Sequence, residues 1–393
     1  MNPPSTVATV RCPGYGECRE SIARTLELSG LDKSLKGRRV LLKPNMMKGT
    51  PPGTPEATHP EFTGVLTGLL KDLGCTVRVG DSTGIIGFTK EVFSASGTTD
   101  AVERNGGTVV NFDAGPFVMI DLGGQFAGTK APVSREFLEA EAVLDVPKIK
   151  THTFLGLTLS VKNFMGAFPG AVKPWLHTLA PGRDDFAGLV AGIPAALEAA
   201  GVNLAGSVVD GVLVLGGRGG SVPAAPAWMN CVVAGKNLFD VDMVCAGLAG
   251  FDFNEVPLCR IGASRGLGAS SPADIAVTGD KIVPVVLVRP GTDLTEAAPP
   301  LTLAYYTIRR DLVKPEHDPA ACEGCNKCVD VCPVGCILVR GAKDRAIGDD
   351  CVKCLACREV CPTGAMGLRA NRCLTPFLKK RAKGLDMGRL RRN

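Results

Sequence analysis

Two runs of cysteine constrain this chain more than any other feature. Cys322, Cys325, Cys328 and Cys332 precede Pro333, and Cys351, Cys354, Cys357 and Cys361 precede Pro362. Each run reads C-x2-C-x2-C-x3-C-P, the spacing that holds a cubane iron–sulfur cluster. Three thiolates at this spacing wrap three corners of a cube on one tight loop. The fourth lies across a short helical turn and points to the neighbouring cube, so the runs interlock. The spacing therefore predicts two 4Fe–4S clusters, one on Cys322, Cys325, Cys328 and Cys361, the other on Cys351, Cys354, Cys357 and Cys332. Zinc sites use two C-x2-C pairs separated by a loop. A disulfide framework belongs to small secreted domains, whereas this chain has 393 residues.

The N-terminal MNPPSTVATV lacks a charged region followed by a long apolar one, and no window holds eighteen uncharged apolar residues. The expectation is a cytoplasmic protein with no transmembrane segment, a compartment that also suits thiolate ligands. Of the remaining cysteines, Cys75, Cys231, Cys245, Cys259 and Cys336 stand in apolar or strand-like contexts and read as small core residues. Cys12, Cys18 and Cys373 lie elsewhere. Cys336 follows Cys332 by one helical turn, where the second run has Ala365, and reads as tight packing beside a cluster or as a fifth ligand.

The net charge is +5, and the segment from Phe377 to Asn393 holds seven Lys and Arg against one Asp. The rest of the chain is nearly neutral, so no nucleic-acid binding is expected of it. The basic tail reads as solvated, or as a contact for acidic lipid, RNA or a partner.

From residue 5 to about 290, short β-branched runs alternate with helical patterns. STVATVR, RVLLKP, CTVRVGD, TVVNF, EAVLDVPKI, GSVVDGVLVL, NCVVAG and IAVTG read as strands. Helices are expected near 60–73, 89–105 and 184–200 and over FDVDMVCAGLAG. The fold class is α/β, with a parallel or mixed sheet covered by helices and a small α+β two-cluster module appended. The domains are 1–290 for the α/β body, 291–317 for a connector, 318–372 for the cluster module and 373–393 for the basic tail.

The loops after these strands carry the polar chemistry, where an α/β sheet collects its sites. KPN (43–45), GDSTG (80–84) and VDG (209–211) are three of them. The chain has four histidines. His59, His152 and His177 stand in loops rich in Pro, Gly and Lys, and His317 stands in the connector. Lys148 and Lys150 share one face of an extended chain. Lys162 and Asn163 precede an FMGAFPG turn. Cations with amide donors suit an anionic ligand. Asp240 and Asp242 supply further acids, and Asp240 reads as a helix-start residue for which N-capping is sufficient. Asp210 either faces the site or makes a turn. LGGRGG (215–220) lacks both the dinucleotide and the Walker spacing, so no nucleotide site is read from it.

KPN, THP, GDS, PKIKTH, LSVKNFMG, the WLH histidine and VVDG occur in this order ahead of the doubled cysteine run. Together they resemble the domain-of-unknown-function 362 family, over about residues 38 to 370, with a ferredoxin-like two-cluster domain at the C-terminus. The N-terminal region is also similar to lactate racemase, whose nickel-pincer cofactor sits between two α/β domains with histidines as bases and ligand.

The reading that follows is an iron–sulfur oxidoreductase. An external donor such as a ferredoxin feeds electrons through the two clusters to a small anionic organic substrate. His152 and His177 are the expected proton donors. Asn45, Lys150, Lys162, Asn163 and Asp210 are the expected substrate-binding residues. The rivals are an electron-transfer or assembly subunit without its own substrate, and a metal-dependent racemase or lyase. The oligomeric state is not legible.

Overall fold

The computed structural model describes residues 5–47, 49–83, 88–219, 222–291, 299–311 and 313–369. Cys373, the basic tail and Gly220 of LGGRGG lie outside the described residues. The alternation of β-branched and helical runs produces twelve strands before residue 280 among the described residues. In chain order they are β1 (Thr6–Arg11), β2 (Arg39–Pro44), β3 (Thr76–Asp81) and β4 (Thr108–Asn111). They continue with β5 (Phe117–Asp121), β6 (Lys130–Ser134), β7 (Ala142–Val146) and β8 (Lys148–His152). The last four are β9 (Gly156–Thr158), β10 (Leu204–Gly219), β11 (Val222–Gly235) and β12 (Ala276–Gly279).

Ten of them form one mixed sheet, ordered β12-β1-β11-β10-β7-β2-β3-β4, with β8 paired to β10 and β9. The run β10-β7-β2-β3-β4 is parallel, so the carboxyl ends of β7, β2, β3 and β4 meet at one edge. β5 and β6 form a separate hairpin.

The parallel strands are apolar along their length because both faces are covered. Val40, Leu42, Ala142 and Leu144 pack into one layer, and Leu41 and Val143 into the other, as the two-residue period of a strand requires. The helix Pro60–Asp72 buries Phe62, Leu66 and Leu70. It starts cleanly because Pro60 has no amide hydrogen that needs an acceptor and the His59 ring accepts from the Glu61 amide at 3.2 Å. The expected helix over 89–105 is two helices, Thr89–Ala95 and Thr98–Arg104. Gly97 between them has φ 75°, which ends the first.

The C-terminal module is built of two short antiparallel ladders. Lys314–His317 pairs with Met366–Arg369, and Ile337–Val339 pairs with Arg345–Ile347. Between body and module, Pro299–Asp311 is helical and packs on the helix Val172–Leu179. No helix among the described residues is long and apolar enough to cross a membrane.

Candidate functional site

The two cysteine runs fold into two short helices, Lys327–Asp330 and Ala356–Glu359, each entered through a left-handed residue, Asn326 at φ 60° and Leu355 at φ 64°. These turns bring the loop thiols to one side and send the fourth cysteine across. Two cavities result. One is lined by Cys322, Cys325, Cys328 and Cys361, with Asn326 and Arg345. The other is lined by Cys332, Cys351, Cys354 and Cys357, with apolar Val334, Ile337, Ile347 and Leu355. Four thiols from the two runs around each cavity, exchanged between runs as the spacing requires, are the donor set of a 4Fe–4S cluster. Cys336 lines the second cavity, its sulfur 3.6 Å from that of Cys332.

The two cavities sit differently against the body. Cys325 is exposed, whereas Cys354 and Cys357 are buried. Cys354 and Ala356 belong to the same apolar cluster as Phe164, Phe168 and Val172 of the body. The Ala171 amide donates to the Lys353 carbonyl at 3.1 Å. A Cβ on Gly170 would overlap the Cys354 carbonyl, so the FMGAFPG turn meets the cysteine loop backbone to backbone. The Asn111 amide group donates to Glu359 at 3.0 Å, and the Arg358 guanidinium lies 4.0 Å from the centre of the Phe88 ring. The second thiol set is therefore proximal to the parallel strands' carboxyl edge, and the first is distal.

Under this contact the strand ends carry a buried polar network. Lys43 and Asp145 are register partners on β2 and β7. The Lys43 ammonium pairs with Asp81 at 2.9 Å and donates to the Pro44 carbonyl at 3.1 Å. Asp81 also accepts from the amides of Met46 at 2.7 Å and Ser82 at 2.8 Å. Asp113 accepts from Ser82 Oγ at 2.6 Å, Thr89 Oγ1 at 2.5 Å and the Gly170 amide at 2.9 Å. Burial pushes the Asp113 carboxyl up, with Lys173 opposing. Lys173 donates to the Ser82 carbonyl.

Three of the sequence-predicted residues meet in this network. Asn163 donates to Asp145 at 2.8 Å and to the Lys43 carbonyl at 3.1 Å, and accepts from Asn45 at 2.8 Å. Lys150 donates to Asn45 Oδ1 at 2.5 Å, to the Glu56 carbonyl at 2.5 Å and to the Met47 sulfur at 2.9 Å. Among the described residues Asp145 Oδ2 has no hydrogen-bond partner, and burial pushes its carboxyl well above the usual range.

Lys162 lies beside them on the short helix Ser160–Asn163. Asp242 holds that helix by accepting from the Ser160 amide at 2.7 Å and the Val161 amide at 3.1 Å.

Asp210 belongs to a second knot. Its carboxylate accepts from Lys148 at 2.8 Å, the Tyr15 hydroxyl at 3.1 Å and the His59 amide at 3.0 Å. Lys148 also donates to the Tyr15 oxygen at 2.7 Å, and the Tyr15 and His59 rings stack 3.6 Å apart. Burial lowers the affinity of Lys148 and of His59 for a proton.

The two predicted catalytic histidines make contacts of a different kind. His152 Nδ1 accepts from the amides of Phe154 and Leu155 at 3.2 Å. His177 stacks between Phe186 at 3.8 Å and Tyr306 at 3.9 Å.

Residues 40–247 match the family described as Domain of unknown function (DUF362). The chain belongs to this family. Within this DUF362 protein, residues 314–362 match the 4Fe-4S dicluster domain and carry all eight run cysteines. A thylakoid-associated protein of Synechocystis is 27% identical over 321 residues, covering 79% of this chain and 94% of the relative. The lactate racemase apoprotein from Thermoanaerobacterium thermosaccharolyticum superposes with a TM-score of 0.41 at 15% identity, over 62% of this chain and 57% of that one. The DUF362 match spans every residue of the buried network from Lys43 to Asp242.

Lys43, Asp81, Asp113, Asp145, Lys173 and Tyr15 are site residues that sequence reading did not single out. GDS and KPN marked the loops of Asp81 and Lys43. A lone aspartate after TVVNF and a lysine in GAVKPW carry no local signal.

Proposed function

We propose that this protein is an iron–sulfur oxidoreductase that takes electrons from an external donor such as a ferredoxin and delivers them to a small anionic organic substrate at the sheet edge. A 4Fe–4S cluster supplies single-electron carriage. Cys322, Cys325, Cys328 and Cys361 would hold the distal one, and Cys332, Cys351, Cys354 and Cys357 the proximal one.

The observation that carries this reading is the contact between the Cys351–Cys357 loop and the FMGAFPG turn, made through Ala171 and Lys353. It sets one buried thiol group over the strand-end polar network while Cys325 stays exposed for a donor. Strand-end loops at such an edge are where α/β sheets bind ligands. The Asn163–Asn45–Lys150 bonds hold the loops together, and Asp210 fixes Lys148 and Tyr15. His152 and His177 are the proton donors of this reading, since reduction of an organic group needs protons as well as electrons. A reducing compartment such as the cytoplasm suits the thiolates.

The test is rapid mixing of anaerobic protein with reduced ferredoxin, followed by a screen of carboxylates and phosphate esters for oxidation of the reduced protein. Bleaching of the visible iron–sulfur absorption, then its return with a specific substrate, is the expected result. Absence of bleaching sinks the reading.

The alternative of an electron-transfer subunit without its own substrate draws on one observation: Asn45 bonds to both Asn163 and Lys150. It predicts bleaching without any small-molecule oxidant and reoxidation by a partner protein.

A further inference from the structure

Five lysines stand at or near the carboxyl edge of the parallel strands, and their partners separate them. Lys43 is spent on Asp81 and the Pro44 carbonyl. Lys148 is spent on Asp210 and Tyr15, and Lys150 on Asn45, Met47 and Glu56. Lys173 donates to one backbone carbonyl, that of Ser82, which carries no net charge. Lys162 has no hydrogen bond or ion pair among the described residues. The neighbouring acids do not answer it. Asp81 accepts from Lys43 and two amides, and Asp113 accepts from Ser82, Thr89 and Gly170.

Burial is the main pressure on the Lys162 ammonium, with the charges of Lys173 and Lys43 adding to it and Asp81 opposing. Together they push it down to about 8. Burial likewise lowers Lys173, against the pull of Asp81 and Asp113. A partly buried ammonium with no counter-ion, within electrostatic reach of two others, is costly unless an anion joins it.

We infer that Lys162 and Lys173 form a receptor for an oxyanion, the carboxylate or phosphate end of the substrate. This rests on the reading of the edge as a substrate site. The placement ties the anion to the redox module. Lys173 stands in the helix Val172–Leu179, directly after Ala171, whose amide is bonded to Lys353 between two proximal cysteines. An anion held there changes the electrostatics of the proximal loop, so its binding is readable in the reduced protein.

The test uses full-length, anaerobically prepared protein with its iron in place. Calorimetric titrations with inorganic phosphate, acetate and uncharged acetamide distinguish the two oxyanions from a neutral isostere. Saturable binding of phosphate or acetate, and none of acetamide, is expected. Lys162→Met and Lys173→Met should each weaken it tenfold or more at unchanged iron content. Lys314→Met, at an exposed position, should not. The bound oxyanion should also alter the electron paramagnetic resonance signal of the reduced protein.

If either variant fails to fold, acetic anhydride labelling of the unaltered protein decides. The oxyanion should protect Lys162 and leave Lys314 unprotected. Undiminished binding by a folded Lys162→Met variant, equal binding of acetamide, or no protection of Lys162 overturns the inference. Such a failure in protein that still bleaches with reduced ferredoxin leaves electron carriage standing. Oxyanion binding by protein that does not bleach spares the receptor and removes the redox reading.

Discussion

Lys43 and Asp81 form a 2.9 Å ion pair that water does not reach, at the ends of neighbouring parallel strands. The pair costs desolvation on both sides, and hydrogen bonds to Pro44, Met46 and Ser82 offset it. Removing one partner leaves a buried charge alone. Lys43→Met is therefore expected to lower unfolding free energy by about 3–5 kcal/mol. Asp81→Asn should act in the same direction. The double variant should recover part of the loss, read as chemical-denaturation midpoints at constant iron content. Additive losses would mean that the two side chains are not coupled.

Gly166 packs against this pair. An added Cβ would overlap both Asp81 Oδ1 and Lys43 Nζ. Neither atom is at the end of a side chain free to swing, because Asp81 is held by two amides. Gly166→Ala should destabilise by about 1–3 kcal/mol, the usual cost of overpacking a core. An unchanged midpoint would show that the FMGAFPG turn can shift away from the sheet.

The doubled cysteine spacing and the run of parallel strands were legible because each is a local pattern. The exchange of Cys332 and Cys361 between cavities follows from the spacing of a two-cluster run. The loops KPN, GDS and PKIKTH were legible as places, but not the partners inside them. Nothing near Lys150 announces that it will meet Asn45, a contact across 105 residues. Tyr15 is the clearest miss. Its stacking on His59 and its bond to Asp210 depend on β1 and its following turn lying beside β10 through β11, which is tertiary packing. The histidines drew attention as residues rare in this chain, yet His177 is stacked between two aromatic rings contributed by separate helices.

Asp242 links pH to stability. Burial raises its carboxyl to about 7, against the Ser160 and Val161 amides that favour the charged form. The folded state then binds a proton that the unfolded state has released between the ordinary carboxylate range and about pH 7. Stability from this group is full at low pH and is lost as pH rises through that window. Asp242→Asn should flatten the fall in melting temperature between pH 5 and pH 7. A profile identical to that of the unaltered protein would show that Asp242 is ionised throughout.

Iron content separates the two thiol sets. Protein prepared without oxygen should hold about eight iron atoms per chain, four in each cubane. Cys325→Ser removes a ligand from the exposed cavity and should lower iron toward half, while the interlocked neighbour weakens with it. Cys354→Ser acts on the cavity packed against Gly170 and should in addition loosen the contact between module and body. Hydrogen exchange at Ala171, whose amide is bonded to Lys353, should therefore quicken in Cys354→Ser and stay slow in Cys325→Ser. Cys336→Ala and Cys373→Ser should leave iron unchanged. A loss of iron in Cys336→Ala would make that sulfur a ligand, and stoichiometric zinc in place of iron would remove the cluster assignment for both runs.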